Sequence, residues 1–182
     1  VRLGIDLDGV VADFNTGWTT RYNRKHGTAL SAEMITEWGA MIPLTGFASM
    51  DEFWEWARND EGRGLFHDLP PYAGALDALG RLAVDHEIIV ITTKPHWAYA
   101  ETFSWLADHA VPASEVHITE QKWWVDCDVY LDDGPHNLEA LQRERPDRTI
   151  CRFVRPWNRS LPGVIDVPDW DAFVALVDRQ WC

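Results

Sequence analysis

The sequence predicts an α/β fold: a parallel sheet flanked by helices, with a small helical insertion after the first strand. Three observations predict it. Short apolar runs recur along the chain and alternate with stretches of helical periodicity, the pattern of successive βαβ units. The run at 87–91, Glu-Ile-Ile-Val-Ile, is apolar at consecutive positions, as a strand covered on both faces must be. Between the first strand and that run lies a long segment with helical patterning, closed by the breaker Leu69-Pro70-Pro71.

In chain order, Val1 to Leu7 alternates and then meets acidic residues and Gly9, a buried strand entering a tight loop. Ala12 to His26 is helix-like and stops at Gly27, and residues 31–38 and 50–58 read as two further helices separated by Pro43 and Gly46. Past the breaker, 73–83 reads as a helix, 87–91 as a strand and 96–109 as a helix. Val116-His117-Ile118 and 128–131 read as strands, 136–143 as a helix, 149–154 as a strand and 168–179 as a closing helix. On this reading residues 1–16 and 72–182 form the core, and 17–71 form a helical cap.

A chain of 182 residues suffices for one such domain. Hydrophobic residues at 46% and charged residues at 25% are ordinary for a globular protein, and no apolar run approaches the roughly 20 residues that span a bilayer. The opening Val1-Arg2-Leu3-Gly4-Ile5-Asp6 turns acidic too soon for a signal peptide, so the expected location is cytoplasmic. A net charge of −13 disfavours a nucleic-acid polymer as partner. It leaves room for a small phosphate ester, because a divalent cation can invert the local field. Cys127, Cys151 and Cys182 have neither redox nor metal-ligand spacing, and the first two read as small residues near strands. Eleven tryptophans are many for this length and are compatible with a homodimer.

Three strand ends carry the chemistry, and strand carboxyl ends are where parallel sheets place their sites. The first gives Asp6-Leu7-Asp8-Gly9-Val10, two carboxylates that crowd each other unless a hard, oxygen-preferring cation holds them. The second gives Thr92-Thr93-Lys94-Pro95, hydroxyls and backbone N–H groups before a helix, suited to a phosphate. A later strand gives Leu131-Asp132-Asp133-Gly134, with Lys122 ten positions before Asp132. Each piece alone has a bland reading, since Asp and Gly are common turn residues and a lone Lys is usually solvated. Their order along the chain is what points to a site.

That ordered set resembles the haloacid dehalogenase (HAD) superfamily, and the opening Asp6-Leu7-Asp8-Gly9-Val10-Val11-Ala12-Asp13-Phe14 resembles the 5′(3′)-deoxyribonucleotidase family within it. The likeness covers roughly 1–16 and 72–145. It implies a Rossmann-like core and a phosphatase with a covalent aspartyl-phosphate. It further implies Asp6 as nucleophile and Asp8 as general acid and base. Mg²⁺ would be held by Asp6, the carbonyl of Asp8, Asp132 and Asp133, the last through a water. Lys122 and one threonine, Thr92 or Thr93, would bind the phosphoryl oxygens. The implied substrate is a nucleoside monophosphate, with an aromatic at Phe14 beside it and cap residues such as Trp38 and Trp56 stacking on the base. A HAD phosphatase for another metabolite, such as a sugar phosphate, and an idle binding protein on the same fold are the competing readings. A signalling receiver domain shares the parts but places its Lys after the acidic strand ends, and it has no place for 15–70.

Some features stay open at this level. The packing role is the default for Trp18, Trp38, Trp54 and Trp56. His96, His117 and His136 fall near loop ends without metal spacing. Gly62-Arg63-Gly64 lies where the cap would rejoin the core, and the stretch from Arg152 through Arg155-Pro156-Trp157-Asn158-Arg159 is either a loop clasp or part of the site rim.

Overall fold

The computed structural model describes residues 1–59 and 62–181, so Cys182 lies outside the described residues. Six strands form one sheet: β1 (Arg2–Ile5), β2 (Glu87–Thr92), β3 (Ala113–Ile118), β4 (Val129–Asp132), β5 (Thr149–Phe153) and β6 (Ile165–Val167). Their order is β3-β2-β1-β4-β5-β6 and every pairing is parallel. Chain order reverses at β1, between β2 and β4, which is where open α/β sheets leave a crevice beyond their carboxyl ends.

Burial explains the strand assignments. Leu3, Ile5, Ile88, Ile89 and Val129 are fully buried, as a sheet covered on both faces requires. The helices α4 (Ala75–Leu82), α5 (Tyr99–Asp108), α6 (Pro135–Glu144) and α7 (Trp170–Trp181) connect or follow the strands. The α4 helix shows the pattern that fixes them: Ala75, Ala78, Leu79 and Leu82 form one buried stripe. α6 begins with Pro135 at its first turn, where a missing N–H costs nothing. Among the described residues no helix is long and apolar enough to cross a membrane.

The segment between β1 and β2 carries α1 (Phe14–His26), α2 (Met41–Leu44) and α3 (Met50–Asn59). Asp13 caps α1, its carboxylate accepting from Thr16 N at 3.0 Å, and Gly27 ends it at φ 66°. The expected helix over 31–38 is instead a short 3-10 turn, Ala32–Met34, followed by the four-residue α2. Gly39 at φ 84° interrupts any continuous helix there.

The two described cysteines sit where expected: Cys151 is buried in β5 and Cys127 just before β4, both free. Burial pushes each thiol up to about 12, which removes them from thiolate chemistry.

Candidate active site

Asp6 leaves β1 at the sheet's reversal point, where its backbone N–H donates to Leu131 O at 2.9 Å and ties it to β4. The chain then curls tightly. The N–H groups of Val11 and Ala12 both reach back to Leu7 O, at 2.9 and 2.8 Å. Gly9 sits at the bend with φ 77°, so that the loop folds over Asp133 from β4's end. A Cβ built on Gly9 would overlap Asp133 Oδ2 and stand 2.5 Å from its Cγ.

One oxygen of that carboxylate and the residue's backbone carbonyl are both held in place. Trp157 Nε1 donates to Asp133 Oδ2 at 2.8 Å, and Asn158 Nδ2 donates to Asp133 O at 2.8 Å. Gly9→Ala is therefore expected to add the left-handed backbone penalty of about 1–2 kcal/mol and to push Asp133 aside. Metal affinity by calorimetry and turnover should both fall at least ~10-fold, a typical loss when a ligand's support is disturbed.

The carboxylates the sequence singles out converge. Ligand oxygens of Asp6, Asp132 and Asp133 lie within 4.8 Å of one another, and all three residues are buried. Lys122 Nζ bridges two of them, 2.8 Å from Asp6 Oδ1 and 2.6 Å from Asp132 Oδ2. The other Asp132 oxygen accepts from Gly134 N at 2.8 Å and Asn137 Nδ2 at 3.1 Å, which fixes its plane. Asp6 Oδ1 also accepts from Leu7 N at 2.7 Å.

The electrostatics are unbalanced in a telling direction. Burial, opposed by Lys122 and reinforced by Asp132, pushes the Asp6 carboxyl up to about 7. Burial and the charges of Asp6 and Asp132 likewise raise Asp133 well above the usual carboxylate range. Burial alone would lower the Lys122 ammonium, but Asp132 and Asp6 outweigh it and raise it. Three buried carboxylates around one ammonium carry excess negative charge, and an all-oxygen donor set of this kind suits a hard divalent cation such as Mg²⁺.

Asp8 stands apart from this cluster. Its Oδ2 pairs closely with Lys94 Nζ, and its Oδ1 is buried without a partner. The two threonines that end the second strand differ as well. Thr92 Oγ1 is buried with no hydrogen-bond partner, whereas Thr93 Oγ1 donates to Thr119 O at 2.9 Å.

Asp6, Asp8, Lys94, Lys122 and Asp133 form the polar floor of a cavity of about 410 Å³, which both threonines also line. Its wall is aromatic: Phe14 stacks on Phe66 with centroids 5.8 Å apart, and Trp54 stacks on Phe66 at 6.0 Å. Trp38, 55% exposed, stands at the rim with its ring 5.1 Å from that of His136. Trp56 does not reach the cavity. It is buried against Tyr22, Phe47 and Phe53, with centroids 5.5–5.8 Å away, so its ring is packing. Two positions on a helix two apart point to nearly opposite sides, and Trp54 takes the cavity side.

The structure adds residues the sequence reading left without a role. Lys94, Trp54, Phe66 and Asn137 line the cavity. The basic, aromatic stretch after β5 is a brace and, through Trp157, also lines the cavity. Arg155 Nε donates to Gly9 O at 2.7 Å while its guanidinium lies between Tyr72 and Phe153, 4.0 and 4.2 Å from their ring centroids. His96 and His117 stay away from the cavity floor, His117 pairing with Glu115 at 2.8 Å and His96 lying against Tyr99. Arg63 pairs with Asp68 at 2.5 Å.

Residues 1–180 match the protein family described as 5′ nucleotidase, deoxy (Pyrimidine), cytosolic type C protein. The human cytosolic-type 5′(3′)-deoxyribonucleotidase is 27% identical over 180 residues, covering 88% of this chain and 83% of the relative. The Bacillus subtilis 5′(3′)-deoxyribonucleotidase is 24% identical over 173 residues, covering 93% and 94%. Among solved structures, an L-2-haloacid dehalogenase aligns with a TM-score of 0.66 at 12% identity, covering 97% of this chain and 98% of its own. The fold is thus that of the HAD superfamily.

Proposed function

Because the chain belongs to the deoxy (pyrimidine), cytosolic type C 5′ nucleotidase family and is a phosphoric monoester hydrolase, we propose that it is a Mg²⁺-dependent phosphatase of deoxynucleoside monophosphates acting through an aspartyl-phosphate on Asp6. One juxtaposition carries the reading: Asp6, Asp132 and Asp133 lie within 4.8 Å of one another, and Asp6 and Asp133 line a cavity walled by stacked aromatic rings. A charged phosphate suits the floor. A planar base suits the wall, where stacking contributes about 1–3 kcal/mol.

In the proposed reaction an Asp6 carboxylate oxygen forms a bond to phosphorus as the bond to the leaving oxygen breaks, and Asp8 gives its proton to that oxygen. Water then attacks the phosphorus of the aspartyl-phosphate and passes a proton to Asp8, which restores Asp6 as a carboxylate and releases inorganic phosphate. Lys122 holds Asp6 in place and neutralises phosphoryl charge. Thr92 Oγ1, buried and unpartnered, donates to a phosphoryl oxygen. Asp6, Asp132, Asp133 and the carbonyl of Asp8 would hold Mg²⁺, which screens the attacking carboxylate from the phosphate and stabilises charge in the transition state. Residues 17–71 act as the cap, with Phe14 and Trp38 near the base.

The test is hydrolysis of a phosphate-ester panel with and without Mg²⁺. Deoxynucleoside monophosphates should exceed sugar phosphates and p-nitrophenyl phosphate in kcat/KM by at least ~10-fold, roughly the discrimination one good stacking contact allows. No preference for nucleotides, or equal rates with chelator, would sink the reading.

A second expectation concerns pH. Asp6 is raised above its unfolded value of 3.8 to about 7, and Asp133 is raised as well. A raised carboxyl stabilises the metal-free fold below its unfolded value, and that contribution is lost as pH rises through about 7. Mg²⁺ binds the ionised carboxylates, so its stabilisation should be large at pH 8 and small at pH 5. At a hundredfold excess over Kd it amounts to about 2.7 kcal/mol, or roughly 5–10 °C in Tm. Thermal unfolding at the two pH values, with Mg²⁺ and with EDTA, measures it.

A further inference from the structure

The mechanism above leaves Lys94 without a task, although its side chain is 1% exposed and its ammonium lines the cavity. Burying a Lys without compensation is costly, and burial lowers its ammonium against the pull of Asp8. Its position is specific on two sides. Nζ pairs with Asp8 Oδ2, and it stands 3.9 Å from the centroid of the Phe66 ring, the middle member of the aromatic wall. The ammonium therefore occupies the seam between the polar floor and the aromatic wall, where the ester oxygen joining phosphorus to the organic group must lie. Asp8 meanwhile is absent from the group formed by Asp6, Asp132 and Asp133, although it lies only two residues from Asp6.

We infer that Lys94 is a positioning residue: by donating to Asp8 Oδ2 it holds that carboxyl away from the cation cluster and leaves Oδ1, the oxygen without a partner, to carry the proton to the leaving oxygen. The inference rests on the phosphatase reading and deepens it by assigning the leaving-group side of the site. In an assembly with four carboxylates, a divalent cation would otherwise compete for Asp8. Lys94 offers it an opposing partner, and Phe66 fixes the ammonium from the far side through its ring face.

The test separates leaving groups. The ratio kcat/KM reports only steps up to transfer of the phosphoryl group to Asp6, before water attacks. A deoxyribose 5′-oxygen must be protonated as it leaves, whereas p-nitrophenolate leaves without help. Lys94→Met and Lys94→Gln, assayed with saturating Mg²⁺, should lose about 100-fold in kcat/KM on a deoxynucleoside monophosphate, the lower range for a displaced general acid. On p-nitrophenyl phosphate the change should be less than about 3-fold. Combining Lys94→Met with Asp8→Asn should cost no more on the nucleotide than Asp8→Asn alone, since both act on one proton transfer.

Retained activity on the aryl ester also shows that the variants fold. Equal loss on both esters in both variants would overturn the assignment, as would an unchanged rate on the nucleotide. A native protein that hydrolyses neither ester would instead defeat the phosphatase reading, so the two failures are distinguishable.

Discussion

Asp6→Asn is expected to abolish turnover, by on the order of 10⁴-fold or more, while leaving the metal-free protein more stable than the native chain at neutral pH and above. The loss follows from chemistry: an amide oxygen is a poor nucleophile toward a phosphate, and the proposed covalent route has no substitute for it. The gain in stability follows from the surroundings. Burial and the Asp132 charge oppose ionisation of Asp6, which places its carboxyl at about 7. An asparagine keeps the oxygen that accepts from Leu7 N at 2.7 Å and from Lys122 at 2.8 Å, but carries no charge. The difference in Tm should shrink toward pH 4, where the native Asp6 is itself neutral, and should reverse above pH 7 when Mg²⁺ is added. Turnover that survives the substitution rules out an aspartyl-phosphate on residue 6.

Lys122→Met should cause the largest loss of stability. Its ammonium is buried between Asp6 and Asp132, at 2.8 and 2.6 Å, with almost no exposure on either side. Methionine fills a similar volume but leaves three buried carboxylates with no cation among them. Breaking a buried pair from one side costs about 3–5 kcal/mol, which for a chain of this size lowers Tm by more than about 6 °C. The deficit should deepen as pH rises from 5 to 8, because Asp6, raised to about 7, ionises in that window and its charge then lacks its partner. Mg²⁺ should restore part of the Tm without restoring turnover, since in the proposed mechanism the phosphoryl oxygens lose their ammonium. A variant as stable as the native protein at pH 8 in EDTA would mean that the carboxylates are compensated elsewhere.

Much of this was legible in the amino-acid order, and the exceptions have physical causes. β2 announces itself as an apolar run, β1 by its alternation, and β4 and β5 as short, largely apolar segments between helical stretches. β6 does not: it is three residues long, at the sheet edge, with Ile165 and Asp166 exposed and only Val167 buried. The convergence of Asp6 with Asp132 was readable because both end neighbouring strands. The separation of Trp54 from Trp56 was readable in principle. Phe53, Trp56 and Ala57 are buried at the i, i+3, i+4 spacing of a core stripe, which leaves Trp54 outside it. Lys94 was hidden for another reason. Its partner Asp8 lies 86 positions away, and no local spacing marks a charge pair made only by tertiary contact.

The brace formed by Arg155, Trp157 and Asn158 has a consequence for biosynthesis. The Gly9 loop is fastened by Arg155, made 146 positions later, and Asp133 by Trp157 and Asn158, made 24 and 25 positions after it. At about 5–20 residues per second, the Gly9 loop waits roughly 7–30 s for its fastener and Asp133 only roughly 1–5 s. Competence to bind the proposed cation should therefore switch on once the stretch after β5 has emerged, rather than grow with chain length.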